Sequence, residues 1–130
     1  MAEYRIMIVD DSRVVHQEMK KMLADTEIEV ACCCRSGEEA LEKYEEVAPD
    51  LVTMDIVMPG VDGLDTCEQI LQRWPDACVY MVSSMAYSDM VDRAAAIGAK
   101  GFLFKPFNKD ALLQSLRSAF KAANKTKEEC

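Results

Sequence analysis

No stretch of this chain carries enough consecutive apolar residues to cross a bilayer, and its start, "MAEYRIMIVDD", lacks the basic and then apolar pattern of a leader. The expectation is a cytoplasmic protein without membrane insertion. Positive charge is also scarce: 15 lysines and arginines face 23 aspartates and glutamates, for a net charge of -8. Affinity for a phosphate backbone comes largely from cations that release counterions, so direct nucleic-acid binding is disfavoured. Cysteine spacing removes two further classes. Cys32, Cys33 and Cys34 are contiguous while Cys67, Cys78 and Cys130 stand alone, which fits neither the C-x-x-C spacing of a zinc site nor a disulfide framework. The six read as reduced thiols, Cys130 the most reactive. Linkers and biased tracts are missing except for a polar end, "KAANKTKEEC". The expected organisation is one domain over residues 1–123 and a short polar tail over 124–130. The single histidine, His16, falls within the first predicted helix and reads as an ordinary surface residue.

What is present is a regular alternation. Short apolar runs at 4–9, 51–54, 78–83 and 101–104, with a weaker one at 27–34, read as strands. Helical periodicity fills the gaps at 12–24, 37–47, 64–73, 88–97 and 108–122. Ser12, Ser36, Ser88 and Asn108 stand where N-caps belong, and Gly98 where a helix stops. Strands recur about every 24 residues, the length of one strand, one helix and two loops. The chain is therefore a (βα)5 α/β protein, its five-stranded parallel sheet doubly wound by right-handed crossovers. Ligands in such a sheet bind at the carboxyl ends of the strands.

The polar residues at those ends form a set. Asp10 and Asp11 follow the first strand, Asp55 the third, Ser83 and Ser84 end the fourth, and Lys105 with Pro106 follows the fifth. Two unit charges about 4 Å apart at an effective dielectric near 20 interact by roughly 4 kcal/mol, a large share of a domain's stability of about 5–15 kcal/mol. Carboxylates so crowded need compensation. A hard divalent cation provides it, since Mg²⁺ takes one or two carboxylates plus waters and phosphate oxygens. Lys105 adds a point charge suited to a phosphoryl oxygen or to Asp55. Phosphoryl transfer onto a carboxylate fits this set.

"IVDDS" at 8–12, "MDIVMPGVDG" at 54–63, "MVSS" at 81–84 and "KPF" at 105–107, in this order and at these intervals, resemble the receiver domain of two-component response regulators over residues 4 to about 121. The resemblance implies a flavodoxin-like sheet of strand order 2-1-3-4-5, an order borrowed from the family. It also implies that Asp55 accepts a phosphoryl group from a sensor histidine kinase. Mg²⁺ would be held by Asp11, Asp55 and the backbone carbonyl of Val57, with Asp10 acting through water or by orienting the ion. Lys105 would contact the phosphoryl group across a cis peptide to Pro106, Ser83 would swing its hydroxyl to it, and Phe102 would turn inward behind. Pro59, Gly60 and Gly63 would shape the loop presenting Asp55. Val57 and Met85 would border the water path and tune the lifetime. The face from residue 86 to 121 would carry the signal to a protein target, such as the flagellar motor switch in chemotaxis, with a dedicated phosphatase as a possible further partner. Two alternatives stand beside this reading. One is a receiver fragment of a longer regulator with its output domain missing. The other is a haloacid dehalogenase-type phosphatase, which needs an acid two residues after its nucleophile, where this chain has Val57.

Overall fold

Strands and helices alternate strictly along the chain: β1 (Tyr4–Val9), α1 (Arg13–Leu23), β2 (Ile28–Cys34), α2 (Gly37–Val47), β3 (Leu51–Met54), α3 (Gly63–Arg73), β4 (Val79–Ser83), α4 (Ser88–Ile97), β5 (Gly101–Phe104) and α5 (Lys109–Glu129). The computed structural model describes residues 4–58, 60–84 and 88–129, with side chains through residue 122. The sheet runs β2-β1-β3-β4-β5, and each neighbouring pair is parallel. Both the (βα)5 architecture and the 2-1-3-4-5 order are as expected.

Alternation along each strand divides the core in two. Met7 and Val9 of β1, Val52 and Met54 of β3, and Val79 and Met81 of β4 meet Ala40, Leu64, Cys67, Ile70 and Ala94 of α2, α3 and α4. Ile6, Ile8 and Leu51 face the opposite way, onto Met19 and Leu23 of α1 and Leu112, Leu116 and Phe120 of α5. Each large apolar side chain taken fully from water contributes about 1.5–3 kcal/mol, so the sheet is held from both faces. Trp74 plugs the end of α3 by stacking on Tyr44, with ring centroids 4.3 Å apart.

Caps set the helix starts. Ser12 Oγ accepts from the Val15 N–H, Ser36 Oγ from the Glu39 N–H, and Asn108 Oδ1 from the Ala111 N–H. Asp62 does the same for α3, accepting from the Asp65 N–H at 2.9 Å, a cap not anticipated from the sequence. Ser88 is the first residue of α4 itself, and the residues before it lie outside those described. Gly98 ends α4 at φ 117°, a conformation in which a side chain would be strained.

Two expectations need correction. His16 is buried at 5% exposure, because it lies three and seven residues before Met19 and Leu23 and so shares their inward stripe. Its Nε2 has no partner among the described residues. The helix expected to stop at 122 continues as α5 to Glu129, since the lysines, glutamates and alanines of the polar end are all good helix formers.

Candidate functional site

Parallel pairing brings the carboxyl ends of β1 and β3 side by side, and the first residue beyond each strand is an aspartate. The Asp10 N–H donates to the Cys34 carbonyl at 3.0 Å and the Asp55 N–H to the Val9 carbonyl at 2.9 Å, so the sheet ladder itself fixes both backbones. Asp10 Oδ1 accepts from the Ser12 N–H at 2.9 Å, which orients that carboxylate at the turn into α1. Asp10 and Asp55 are buried and Asp11 is exposed. One oxygen from each of the three lies within 4.8 Å of the others.

Lys105 reaches this cluster from beyond β5. Its backbone N–H donates to the Ser83 carbonyl at 3.0 Å, and the peptide to Pro106 is cis. The ammonium lies 2.6 Å from Asp10 Oδ2 and 3.6 Å from Asp55 Oδ2. Its tighter contact is therefore with Asp10, a pairing the sequence offered no means of choosing. One ammonium against three carboxylates leaves the cluster negative. Burial first, and then the neighbouring Asp10 charge, push the Asp55 carboxyl up to about 6 from 3.8, against the pull of Lys105. Oxygen donors in excess of positive charge fit a hard divalent cation such as Mg²⁺, with Asp10, Asp11 and Asp55 as the side chains to hold it.

The loop after Asp55 is shaped by close backbone approach. Gly63 opens α3 with its N–H on the Ile56 carbonyl at 2.8 Å, and a Cβ there would fall 1.9 Å from the Asp55 carbonyl oxygen. Gly60 sits at φ 81°. Ile56 and Met58 turn into the core while Val57 stays 55% exposed beside the site. Ser83 is fully buried at the end of β4, and Ser84 is exposed. Phe102 is half-buried against the α2–α4 side of the core, with its ring 5.0 Å from that of the more exposed Phe104. Pro59 and Met85 lie outside the described residues. The structure thus brings Asp10, Asp11, Asp55 and Lys105 to one sheet edge with Ser83 at the adjoining strand end. The supporting groups that sequence reasoning missed are the carbonyls of Val9 and Cys34, since every residue carries a carbonyl and only sheet order selects which ones hold a neighbour.

Comparison with known proteins agrees with this geometry. Residues 6–117 match the family model described as the response regulator receiver domain. The chain is 42% identical over 117 residues to the chemotaxis protein CheY of Listeria monocytogenes, covering 90% of this chain and 98% of that one. It is 38% identical over 117 residues to CheY of Thermotoga maritima, with the same coverage of 90% and 98%. It superposes on a chain in the crystal structure of the CheX-CheY-BeF3-Mg²⁺ complex from Borrelia burgdorferi with a TM-score of 0.87 and 30% identity, covering 92% of this chain and 90% of that one. An acidic pocket at the carboxyl edge of a 2-1-3-4-5 sheet, a lysine placed across it and a family match over most of the chain lead to one conclusion: this chain belongs to the response regulator receiver domains, the CheY-like signalling switches of two-component systems.

Proposed function

We propose that this protein is a phosphoacceptor switch, in which Asp55 takes a phosphoryl group from a phosphohistidine on a sensor histidine kinase. The observation that carries the reading is the Lys105 ammonium 2.6 Å from Asp10 and 3.6 Å from Asp55, inside a cluster of three carboxylates. An Asp55 oxygen attacks phosphorus, the bond to the donor nitrogen breaks, and the imidazole leaves with the electron pair. Bound Mg²⁺ supplies charge stabilisation to the phosphoryl oxygens. Asp11, Asp55 and the Val57 carbonyl would hold the ion, with Asp10 acting through water or by orienting it. Lys105 neutralises developing charge, and Ser83 donates its hydroxyl to a phosphoryl oxygen once the group is in place. Val57 carries no acid or base for general catalysis, so the protein turns over its own phosphoryl group and is no phosphatase of other substrates. Incubation with acetyl phosphate and Mg²⁺ should label a single site. Asp55→Ala should abolish the label without loss of fold, and labelling that survives this change would refute the assignment.

The receiver unit in this reading spans residues 1–123, with 124–130 as its C-terminal extension. It works in the cytoplasm and signals by binding a protein target, with chemotaxis favoured by the naming of the relatives at 42% and 38% identity. The output face is α4, β5 and α5, where Phe104 is 47% exposed at the sheet edge. Phe102 has no hydroxyl, so its inward turn after phosphorylation is driven by apolar burial alone. Because the ring is already half-buried against the core, the gain is about half of the roughly 1.5–3 kcal/mol for a ring fully taken from water, or roughly 1 kcal/mol. Phe102→Ala should keep acetyl phosphate labelling and lose phosphorylation-dependent target binding. Equal affinity of variant and parent in a pull-down would show that the signal leaves by another route.

Lifetime follows from Val57, whose apolar side chain is 55% exposed beside the acceptor and cannot orient an attacking water. Positioned polar groups contribute about 10²- to 10⁴-fold to such steps. Self-hydrolysis should therefore be slow, and a separate phosphatase would be needed for fast signalling. Val57→Asn, which restores only an orienting amide, should release phosphate faster, by at most the lower end of that range, about 10²-fold. The check is a time course of phosphate release from both labelled proteins, with equal rates placing lifetime control elsewhere.

A further inference from the structure

The three contiguous cysteines take no part in the function above, and they are not equivalent. They lie on β2, an edge strand. Cys32 and Cys34, two residues apart, share the face turned towards α2, and Cys33 packs on the opposite face with the α1 and α5 cluster. The Cys32 and Cys34 sulfurs are 3.9 Å apart. Cys34 is fully buried while Cys32 is half-buried. We propose that Cys32 and Cys34 form a peroxide-sensitive dithiol whose oxidation to an intrachain disulfide disturbs the acidic site through the Cys34 backbone.

The reaction balances with a peroxide as oxidant. The Cys32 sulfur attacks one peroxide oxygen, the O–O bond breaks, and hydrogen peroxide leaves water and a sulfenic acid at Cys32. The Cys34 sulfur then attacks the Cys32 sulfur, the S–O bond breaks, and the departing hydroxide takes the Cys34 proton as a second water. Two thiols are oxidised, one peroxide is reduced, and the protein loses two hydrogen atoms. Residues two apart on a strand have Cα atoms about 6.6 Å apart, near the long end of the range of about 4.4–6.8 Å that disulfides span. Their parallel Cβ atoms stand about as far apart, beyond the roughly 3.5–4.5 Å a disulfide allows, so the strand must bend to close the bridge. Closure therefore pulls on the strand, and such a strained bridge is readily reduced. β2 is irregular just before the pair, where its register with β1 passes from Ile6 opposite Val30 to Met7 opposite Cys32 and leaves Ala31 unmatched, while Cys32, Cys33 and Cys34 lie in regular register opposite Met7, Ile8 and Val9. The pull falls on Cys34, whose carbonyl accepts the Asp10 N–H at 3.0 Å.

The test uses the full chain carrying Cys130→Ser, which removes links between molecules at that residue. Hydrogen peroxide should remove two hydrogen atoms from the intact mass, map to a Cys32–Cys34 link in one peptide, and be reversed by dithiothreitol. Cys32→Ser should prevent the loss and Cys33→Ser should not; because Cys32 is half-buried, its variant decides the matter even if one at Cys34 fails to fold. A link involving Cys33, a loss that persists in Cys32→Ser, or oxygen addition that dithiothreitol cannot reverse would overturn the dithiol. The coupling rests on the Mg²⁺ reading above and is measured by calorimetric Mg²⁺ titration. Oxidation should weaken binding about tenfold, the scale on which groups supporting metal ligands act, and unchanged affinity would overturn the coupling. If the reduced protein binds no Mg²⁺, the phosphoacceptor reading fails, while the mass measurement still decides the thiol pair.

Discussion

Asp55→Asn should stabilise the apo protein at neutral pH by about 2 kcal/mol. The carboxyl's rise from 3.8 to about 6 means that the fold disfavours its ionised form. At about 1.4 kcal/mol for each pH unit this sets a ceiling near 3 kcal/mol, reduced to about 2 by solvent at the open side of the site. The sign follows from proton binding. Between pH 3.8 and about 6 the native state holds a proton on Asp55 that the unfolded chain has released, so stability falls as pH rises through that window. Below it the contribution is fully present, and above it the penalty is complete. The amide of the variant has no such proton to lose, and the difference between variant and parent isolates this group from every other carboxylate. Urea denaturation at several pH values should show near-equal stabilities around pH 4 and a gap that opens towards pH 7. Mg²⁺ should then close the gap, because ligand at about 100 times its dissociation constant stabilises the native state by about 2.7 kcal/mol. A parent that is as stable as the variant at pH 7 without Mg²⁺ would mean that Lys105 already compensates the buried charge.

Gly63→Ala should cost about 3 kcal/mol or more, the largest loss expected from adding one methyl group to this fold. The added Cβ would lie 1.9 Å from the Asp55 carbonyl oxygen, 2.7 Å from the Asp55 carbonyl carbon and 2.8 Å from Ile56 Cα. All three are backbone atoms and cannot swing aside as the end of a side chain can. Either α3 moves away from the sheet, opening space around the buried Leu64, Cys67 and Ile70, or the segment carrying Asp55 shifts. Alanine's better helix propensity returns only about 1 kcal/mol. Denaturation and acetyl phosphate labelling should therefore fail together, with the loss of labelling exceeding what the unfolded fraction explains. A variant within about 1 kcal/mol of the parent, labelled at the parental rate, would show that the loop yields without moving the acceptor.

The sequence alone determined the elements, their order and the identity of the acidic set. A strand every 24 residues or so is a local pattern, and in a parallel sheet residues that follow strands must gather at one edge, so Asp10, Asp11, Asp55 and Lys105 could be grouped before any distance was known. The strand order came from family resemblance, because several orders satisfy the same periodicity. His16 has the polarity of a surface residue but the position of a core one, on the stripe of Met19 and Leu23 that the spacing marks. Tertiary structure alone decided the rest. Lys105 joins Asp10 across a separation of 95 residues, and that choice over Asp55 depends on how the loop after β5 extends along the carboxyl edge of the sheet, past the ends of β4 and β3, to reach the end of β1. The carbonyls of Val9 and Cys34 hold the two aspartates, Gly63 touches the Asp55 backbone, and the Cys32 and Cys34 sulfurs come within 3.9 Å. None of these is written in local periodicity, which fixes the face of its element on which a side chain lies. Distances between elements arise only when the sheet closes and both halves of the core pack.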